Sequence, residues 1–137
     1  MTPTPISVRR GDIYYINFGE LPGSSEHGIR PGIIVQNNIG NRHSPTVIVA
    51  AITSSVKKLD QPTHVLIGSR FGLDRPSMLM AEQLFTVDKS SLLRYIGTAD
   101  SAFLQKANRA LNRSIGLCPE NPRTQRGTIR LRYGGIL

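Results

Sequence analysis

The sequence has little cysteine and no long apolar run, and each shortage excludes a class of protein. Its single cysteine, Cys118, cannot form a disulfide within the chain or a metal site built on cysteines, and it is typical of a reducing compartment. No apolar run approaches the ~20 residues that span a bilayer, and the first residues, MTPTPISVRR, contain no apolar signal core. These shortages predict a soluble cytoplasmic protein without a membrane partner.

Acidic residues are also scarce. There are 9 aspartates and glutamates against 17 lysines and arginines, which gives a net charge of +8. Residues 118–137 contain four arginines against Glu120 alone, so the remaining body still has a net charge of +5. Small basic domains commonly bind polyanions such as nucleic acid or acidic proteins. The alternative is a surface that its charge merely keeps soluble.

Metal and nucleotide motifs are missing as well. The three histidines, His27, His43 and His64, show neither an i,i+4 pair nor the spacing of a zinc signature. The chain has no GxxxxGK[ST] phosphate loop, no GxSxG elbow and no Cys/His pair suited to catalysis. We therefore predict no metal site and no cofactor. His64 alternates with the apolar positions of its stretch, which predicts a solvated side chain.

What the chain does contain is a series of short stretches with strand character, separated by Gly, Pro, Asn and Ser. Strands are predicted at residues 12–18, 32–36, 46–52, 62–67, 78–87 and 95–97. The stretch NNIGNRHSP, residues 37–45, predicts a turn, and residues 89–93 predict a helical turn. The strand at residues 46–52 is apolar throughout, so we expect both of its faces to be covered.

One amphipathic helix follows the strands. Asp100 is typical of an N-cap and Gly116 of a helix end. An apolar stripe at spacings of three and four comprises Leu104, Ala107, Leu111 and Ile115. Together these elements predict a mainly β fold, a small, strongly bent, SH3-like barrel sheet with a C-terminal α-helix. We expect residues 1–117 to form this domain and residues 118–137 to be a basic C-terminal extension.

The two longest apolar runs lie within residues 28–53, between Arg30 and Thr53. We predict that these two side chains meet in space. A guanidinium has a fixed fork of donors that matches phosphate oxygens, and a threonine hydroxyl adds another donor. The residues alone leave a structural alternative open, in which Arg30 bridges two loops through a carboxylate such as Asp12 and Thr53 caps a strand end.

Several stretches then resemble one known family. They are RRGDIYYINF, GSSEHGIRP, IVQNNIGNRHSPTVIVAAIT, QPTHV and AEQLFTVD. They are similar to the MazF/PemK family of toxin endoribonucleases, and most of all to the Gram-positive MazF type. The resemblance runs from about Arg10 to Leu117. It implies the bent sheet and helix of the CcdB, Kid and MazF toxins, a homodimer, and an acidic MazE-like antitoxin that blocks the RNA groove.

The resemblance also implies an activity and its residues. Family members cut single-stranded RNA at short sequences without a metal, leaving a 2′,3′-cyclic phosphate and a 5′-hydroxyl. The catalytic arginine and threonine of the family correspond to Arg30 and Thr53. The positions that match the RNA path are Arg10, Ser24, Asn37 and Gln83, to which we add the loop residues Ser25 and His27.

Proton transfer is the part of this chemistry that Arg30 explains least, because a guanidinium is a reluctant base. His27 lies three residues before Arg30, and histidine titrates near pH ~6.5, which suits proton transfer. His27 is therefore a second candidate, and a simple polar loop residue is the alternative. The chain departs from the family at Glu26, Ser25 and Gly32, so its preferred RNA sequence is expected to differ.

Two other functions remain to be separated from the endoribonuclease. One is a non-catalytic inhibitor of DNA gyrase on the same fold, as in CcdB. The other is a basic nucleic-acid-binding module without activity. A pure inhibitor has no need of the phosphate site formed by Arg30 and Thr53, which favours the enzyme.

Overall fold

A computed structural model describes residues 7–19 and 28–117, and these residues form one antiparallel sheet with two α-helices. The strands are β1 (Asp12–Asn17), β2 (Ile29–Ile34), β3 (Thr46–Thr53), β4 (His64–Gly68), β5 (Ser77–Asp88) and β6 (Leu92–Thr98). Helix α1 (Asn38–His43) joins β2 to β3, and helix α2 (Ser101–Ser114) follows β6. A 3₁₀ turn (Lys89–Ser91) lies at the predicted helical turn.

The strands are hydrogen-bonded in the order β4-β5-β3-β2-β1-β6, and each neighbouring pair is antiparallel. Irregularities in register interrupt the pairs β1–β6, β3–β5 and β4–β5, and such bulges bend strands and increase their twist. The sheet is therefore curled into a half-barrel. The predicted mainly β fold, with a strongly bent sheet and a C-terminal helix, is confirmed.

Apolar side chains cover both faces of the central strand β3. Ala50 and Ile52 belong to a cluster that also contains Phe103 of α2. Val47 and Val49 point the other way, into a second cluster with Ile34, Tyr14 and Phe18. The expectation of two covered faces holds except at Ile48, whose side chain is 40% exposed. Strand β3 is thus the central support of the molecule.

Helix α2 begins where the sequence predicted. The side chain of Asp100 accepts a hydrogen bond from the backbone N–H of Phe103 at 2.8 Å, and Gly116 has a φ of +77°, which suits glycine at a helix end. The buried stripe, however, consists of Phe103, Ala107 and Ala110. The predicted stripe is wrong at Ile115, which is exposed, because α2 turns an aromatic side chain toward the sheet.

Residues 37–45 do not form a simple turn, so that prediction is wrong. Asn37 accepts a hydrogen bond from the backbone N–H of Gly40 at 2.8 Å and thereby caps α1. Asn41 lies inside, where its amide bonds to Gln36 and Asn38. These contacts with the chain on either side stabilise a six-residue helix that would not form alone.

Candidate functional site

The predicted pair lies at neighbouring strand ends. Strands β2 and β3 pair Ile33 with Ala50 and Gly32 with Ala51. The hydrogen-bonded pairing stops at Gly32 and Ala51, and the same register continued for two more residues would bring Arg30 opposite Thr53. Residues that are directly opposite in an antiparallel pair project from the same face of the sheet. The fold therefore places both side chains on one face, at the edge where β2 begins and β3 ends.

Thr53 is held in place by the backbone around it. It is the last residue of β3, pairs with Met78 of β5, and is 8% exposed. Its Oγ1 accepts a hydrogen bond from the backbone N–H of Ser55 at 3.0 Å. A hydroxyl that accepts one bond still has its own O–H to donate. The local turn thus fixes the oxygen of Thr53 while leaving it a donor for a bound phosphate.

The side chain of Arg30 is exposed. Strand β2, which carries Arg30, has β3 on one side and β1 on the other, and Arg30 pairs with Ile16 of β1. The carboxylate of Asp12 serves other partners. Its two oxygens accept hydrogen bonds from the backbone N–H of Arg9 at 2.9 Å and from the hydroxyl of Thr98 at 2.8 Å. The structure therefore assigns Asp12 to the entrance of β1 rather than to Arg30.

A cavity of about 250 Å³ adjoins Arg30 at this edge of the sheet. Its polar lining comes from separate strand ends and from the loop before β5, namely Tyr15, Ser54, Asp74, Arg75 and Ser77. Sequence reasoning missed these side chains. The only local signal is the Asp-Arg pair after Leu73, since the other members become neighbours through the tertiary fold.

The loop that precedes Arg30 is closed at its base by two glycines. The backbone N–H of Gly28 donates to the carbonyl of Gly19 at 2.9 Å, and Phe18 N–H donates to the carbonyl of Gly28 at 2.9 Å. Both glycines have positive φ, +67° and +73°, which other residues rarely adopt. Ser24, Ser25 and His27 belong to this loop and lie outside the described residues.

Arg10 and Asn37 are not near Arg30. Arg10 lies at the other end of the sheet, where its side chain donates to the carbonyl of Val35 and to the Oδ1 of Asn108, each at 2.8 Å. Asn37 is nearby as the cap of α1. From Arg30 to Val35 the chain advances five residues, or about 17 Å at ~3.4 Å per residue. These two predicted RNA contacts therefore lie far from Arg30.

Gln83 lies in the bulge of β5. Ala50 pairs with Leu84 and Ala51 pairs with Met80, so three residues of β5 have no partner on β3. Gln83 is half-buried and directly follows Glu82 in this bulge. The irregular backbone directs the bulged residues differently from a regular strand. The sequence pattern gave no sign of this change in direction.

His64 and Glu82 form an ion pair beside this bulge, with 2.7 Å between Nε2 and Oε2. The predicted solvated side chain is wrong, since the side chain of His64 is only 7% exposed. The carbonyls of Lys57 and Lys58 cover its other nitrogen. Within residues 7–19 and 28–117, the His, Cys, Asp and Glu side chains form no group of three that could hold a metal ion.

Comparison with known proteins agrees with this architecture. A family model described as the PemK-like, MazF-like toxin of type II toxin–antitoxin systems matches residues 9–115. The chain is 43% identical over 111 residues to endoribonuclease EndoA of Bacillus subtilis, covering 80% of this chain and 96% of that protein. It is 42% identical over 111 residues to endoribonuclease MazF of Staphylococcus saprophyticus, covering 80% of this chain and 92% of that protein.

Solved structures give the same result. An endoribonuclease from mycobacterial species superposes with a TM-score of 0.68 at 27% identity, covering 85% of this chain and 97% of that one. A mycobacterial endoribonuclease in complex with its cognate antitoxin superposes with a TM-score of 0.69 at 28% identity, covering 82% of this chain and 99% of that one. The fold and the strand-end site thus define a toxin with a curled antiparallel sheet. The chain belongs to the family of PemK-like, MazF-like toxins of type II toxin–antitoxin systems.

Proposed function

We propose that this toxin is an endoribonuclease that cleaves single-stranded RNA without a metal. The observation that carries the proposal is that Arg30, near the start of β2, and Thr53, at the end of β3, lie on paired neighbouring strands, in a family whose curated relatives are endoribonucleases. A cation and a hydroxyl donor on one face match the non-bridging oxygens of a phosphodiester.

The reaction uses a nucleophile that belongs to the RNA. The 2′-oxygen attacks the neighbouring phosphorus, the bond from phosphorus to the 5′-oxygen breaks, and a 2′,3′-cyclic phosphate and a 5′-hydroxyl result. The proton of the 2′-hydroxyl passes to a base, and the departing 5′-oxygen receives a proton. The guanidinium of Arg30 stabilises the charge that develops on the phosphoryl oxygens, and Thr53 donates a hydrogen bond to one of them.

His27 is our candidate for sharing proton transfer with Arg30. It directly precedes Gly28, whose backbone hydrogen bonds close the base of the loop. If His27 transfers a proton in the reaction, replacement of His27 by Ala lowers the cleavage rate and changes the dependence of this rate on pH between 5 and 8. An unchanged rate across that range eliminates the idea.

The RNA path extends from this edge over the rest of the molecule. We propose that Ser24, Ser25 and His27 contact bases near the cut and that Gln83 contacts the strand beside it. Arg10 and Asn37 lie at the opposite end of β2, so they can meet only nucleotides remote from the cut.

An acidic antitoxin and a second copy of the chain are the proposed protein partners. The net charge of +8 attracts an acidic segment as it attracts RNA. An apolar groove of about 580 Å³ between β3 and α2, lined by Ile48, Leu84, Leu111 and Ile115 among others, supports a homodimer contact. Exposed apolar surface of this kind commonly marks a protein interface.

We further propose a cytoplasmic location, where the substrate RNA is found. No helix in the described residues is long and apolar enough to cross a membrane. Residues 1–117 are proposed to be the catalytic domain, and residues 118–137 a basic extension. The match of the family model to residues 9–115 supports this division.

A cleavage assay tests the proposed activity. Purified protein is incubated with a long single-stranded RNA in EDTA, and the new ends are mapped and their chemistry determined. We expect cuts at one short sequence with 2′,3′-cyclic phosphate and 5′-hydroxyl ends. An absence of cuts, or cuts that EDTA abolishes, would refute the proposal.

Two matched pairs of variants test the roles of the site. Arg30→Ala should remove nearly all activity, and Arg30→Lys should restore only part of it, because an ammonium lacks the planar fork. Thr53→Val should lower the cleavage rate roughly 10²-fold, as loss of one transition-state donor does, while Thr53→Ser retains the oxygen and most of the rate. Equal rates for the valine and serine variants would remove Thr53 from the chemistry.

A further inference from the structure

A second cavity, of about 590 Å³, lies at the end of the sheet opposite to Arg30. Its charged lining consists of Arg9, Arg42 and Lys89, which come from the entrance of β1, from α1 and from the 3₁₀ turn. The amide side chains of Asn38 and Asn41 also line it. We call this the distal basic cavity. The established toxin family and the strand-end site do not account for it.

The distal basic cavity has cations without counter-charges. Its lining includes no carboxylate, and across residues 7–19 and 28–117 none of the three cations forms a salt bridge. The carboxylate of Asp12 accepts hydrogen bonds from the backbone N–H of Arg9 and from the hydroxyl of Thr98, and Asp88, directly before Lys89, forms no salt bridge with the described residues. Three like charges around one concave space produce a local potential that attracts an anion.

The floor of this cavity is rigid. Asn41 is buried and its side chain is fixed by hydrogen bonds to Gln36 and Asn38. The ammonium of Lys89 donates to the backbone carbonyl of Asn41 at 2.6 Å. An ammonium has three donors, so two remain to contact a ligand. A cation that is already held loses less side-chain entropy when it binds.

The cavity and the cleavage site lie at the two ends of the same strand. The backbone N–H of Lys89 donates to the carbonyl of Pro45, directly before β3 begins at Thr46, and β3 ends at Thr53. Seven residues at ~3.3 Å each give a separation of about 23 Å. Val8 of the cavity packs in the apolar cluster of Val47 and Val49, whose side chains share the face of Thr53. A single RNA strand with stacked bases, at ~3.4 Å per phosphate, covers this distance in about seven nucleotides.

We propose that the distal basic cavity binds a backbone phosphate of the same RNA, several nucleotides from the bond that is cut. This inference rests on the proposed endoribonuclease function. RNA is favoured over an acidic protein because the lining combines guanidinium forks with amide donors, and Val8 is its single large apolar side chain. An acidic protein segment usually also needs apolar anchors. The site would therefore add affinity for long RNA without adding sequence specificity.

The test compares a short and a long substrate. The short RNA contains the cut sequence with about two flanking nucleotides, and the long RNA extends about 12 nucleotides on each side. We expect a lower KM for the long RNA with the wild type. In the double variant Arg42→Gln/Lys89→Gln, kcat and KM for the short RNA should stay within twofold of wild type, while most of the advantage of the long RNA is lost. Losing the contact to this one phosphate should also reduce the slope of log affinity against log salt by about 0.7.

Arg109→Gln/Arg113→Gln is the matched control, since it removes the same charge from exposed positions of α2. Arg9→Gln is a second test variant, whose side chain has no hydrogen bond to the described residues, so its replacement leaves the fold intact. The charge-preserving pair Arg42→Lys/Lys89→Arg should retain the advantage of the long RNA. Thermal unfolding of each variant verifies the fold.

Each outcome has one meaning. An unchanged advantage of the long RNA in both test variants overturns the inference, as does an equal loss in the Arg109/Arg113 control. A test variant that binds poly-glutamate more weakly but long RNA as well as wild type assigns the cavity to an acidic protein and also overturns it. Failure of the wild type to cut either RNA refutes the endoribonuclease proposal instead.

Discussion

His64 and Glu82 connect the loop after Thr53 to the bulge of β5. The Nε2 of His64 lies 2.7 Å from the Oε2 of Glu82, and its Nδ1 lies 3.0 Å from the carbonyl oxygen of Lys58. Lys58 itself has a φ of +52°, and its carbonyl also accepts a hydrogen bond from Gln61. One side chain thus stabilises the backbone of residues 54–63, which begin directly after Thr53.

Glu82→Ala should loosen this loop. Since Glu82 is partly exposed, the pair contributes modestly, and we expect the free energy of unfolding to fall by about 0.5–1 kcal/mol. Amide hydrogen exchange at residues 57–61 should become faster than in the wild type. Asp60→Ala is the control, because it removes a carboxylate from the same loop without breaking this contact. Equal exchange rates in the two variants would show that Glu82 does not support the loop.

Tyr14 should make stability depend on alkaline pH. Burial of the side chain raises the pKa of its hydroxyl above the ordinary value of 10.0, and the charges of Asp12 and Tyr95 raise it further. The folded protein therefore holds this proton more tightly than the unfolded chain does. The contribution of Tyr14 to the free energy of unfolding is fully present below the pKa of the unfolded chain, about 10. It is lost as the pH rises from there through the higher pKa of the folded protein.

Tyr14→Phe isolates this effect, because phenylalanine keeps the ring and removes the ionisable hydroxyl. Urea denaturation at several pH values from 8 to 11 should show a smaller loss of stability for Tyr14→Phe than for the wild type. Parallel curves for the two proteins would contradict the raised pKa.

Gly97 should not tolerate a side chain. A Cβ atom at this position of β6 would lie 2.0 Å from the carbonyl oxygen of Phe71, and one at Gly72 would lie 2.3 Å from the carbonyl oxygen of Ile96. The loop before β5 therefore packs directly on the backbone of β6. Relief of such overlap requires a backbone shift, so Gly97→Ala should lower the free energy of unfolding by about 2 kcal/mol or more.

Gly40→Ala is the corresponding control, since the three atoms nearest to its new methyl group all belong to the side chain of Gln36, at 3.1–3.2 Å rather than 2.0 Å, and alanine favours the helix there. Thermal denaturation should therefore give a clearly lower Tm for Gly97→Ala than for Gly40→Ala. A Tm for Gly97→Ala equal to that of the wild type would contradict the close approach.

Local signals were enough to predict most of the strands and the start of α2, but β2, predicted at residues 32–36, lies at Ile29–Ile34. The cap at Asp100 depends on a few neighbouring residues, and the apolar run of β3 indicates a buried strand in a small domain. Helix α1 could not be predicted, because its six residues are stabilised by a local side-chain bond from Gln36 and by Lys89, which reaches the helix only through the tertiary fold. The same reason explains the error at His64, since the carbonyls that cover it belong to a loop that folds back.

The site was predictable in part. Arg30 and Thr53 lie at the ends of two sequential strands, and sequential strands commonly pair, so their proximity follows from chain order. The neighbouring Asp74 and Arg75 come from a loop whose position depends on its packing against β6. No pattern along the chain contains that information.

The closed base of the loop at residues 19–28 has a consequence for how such toxins diversify. Because Gly28 donates to the carbonyl of Gly19 and accepts from the backbone N–H of Phe18, the ladder between β1 and β2 ends at a fixed point, whatever sequence lies between the two glycines. Changing the length of a surface loop costs little free energy when its ends are already joined. The sequence of residues 20–27 can accordingly vary between related toxins without changing the pairing of β1 with β2 or the position of Arg30 on β2.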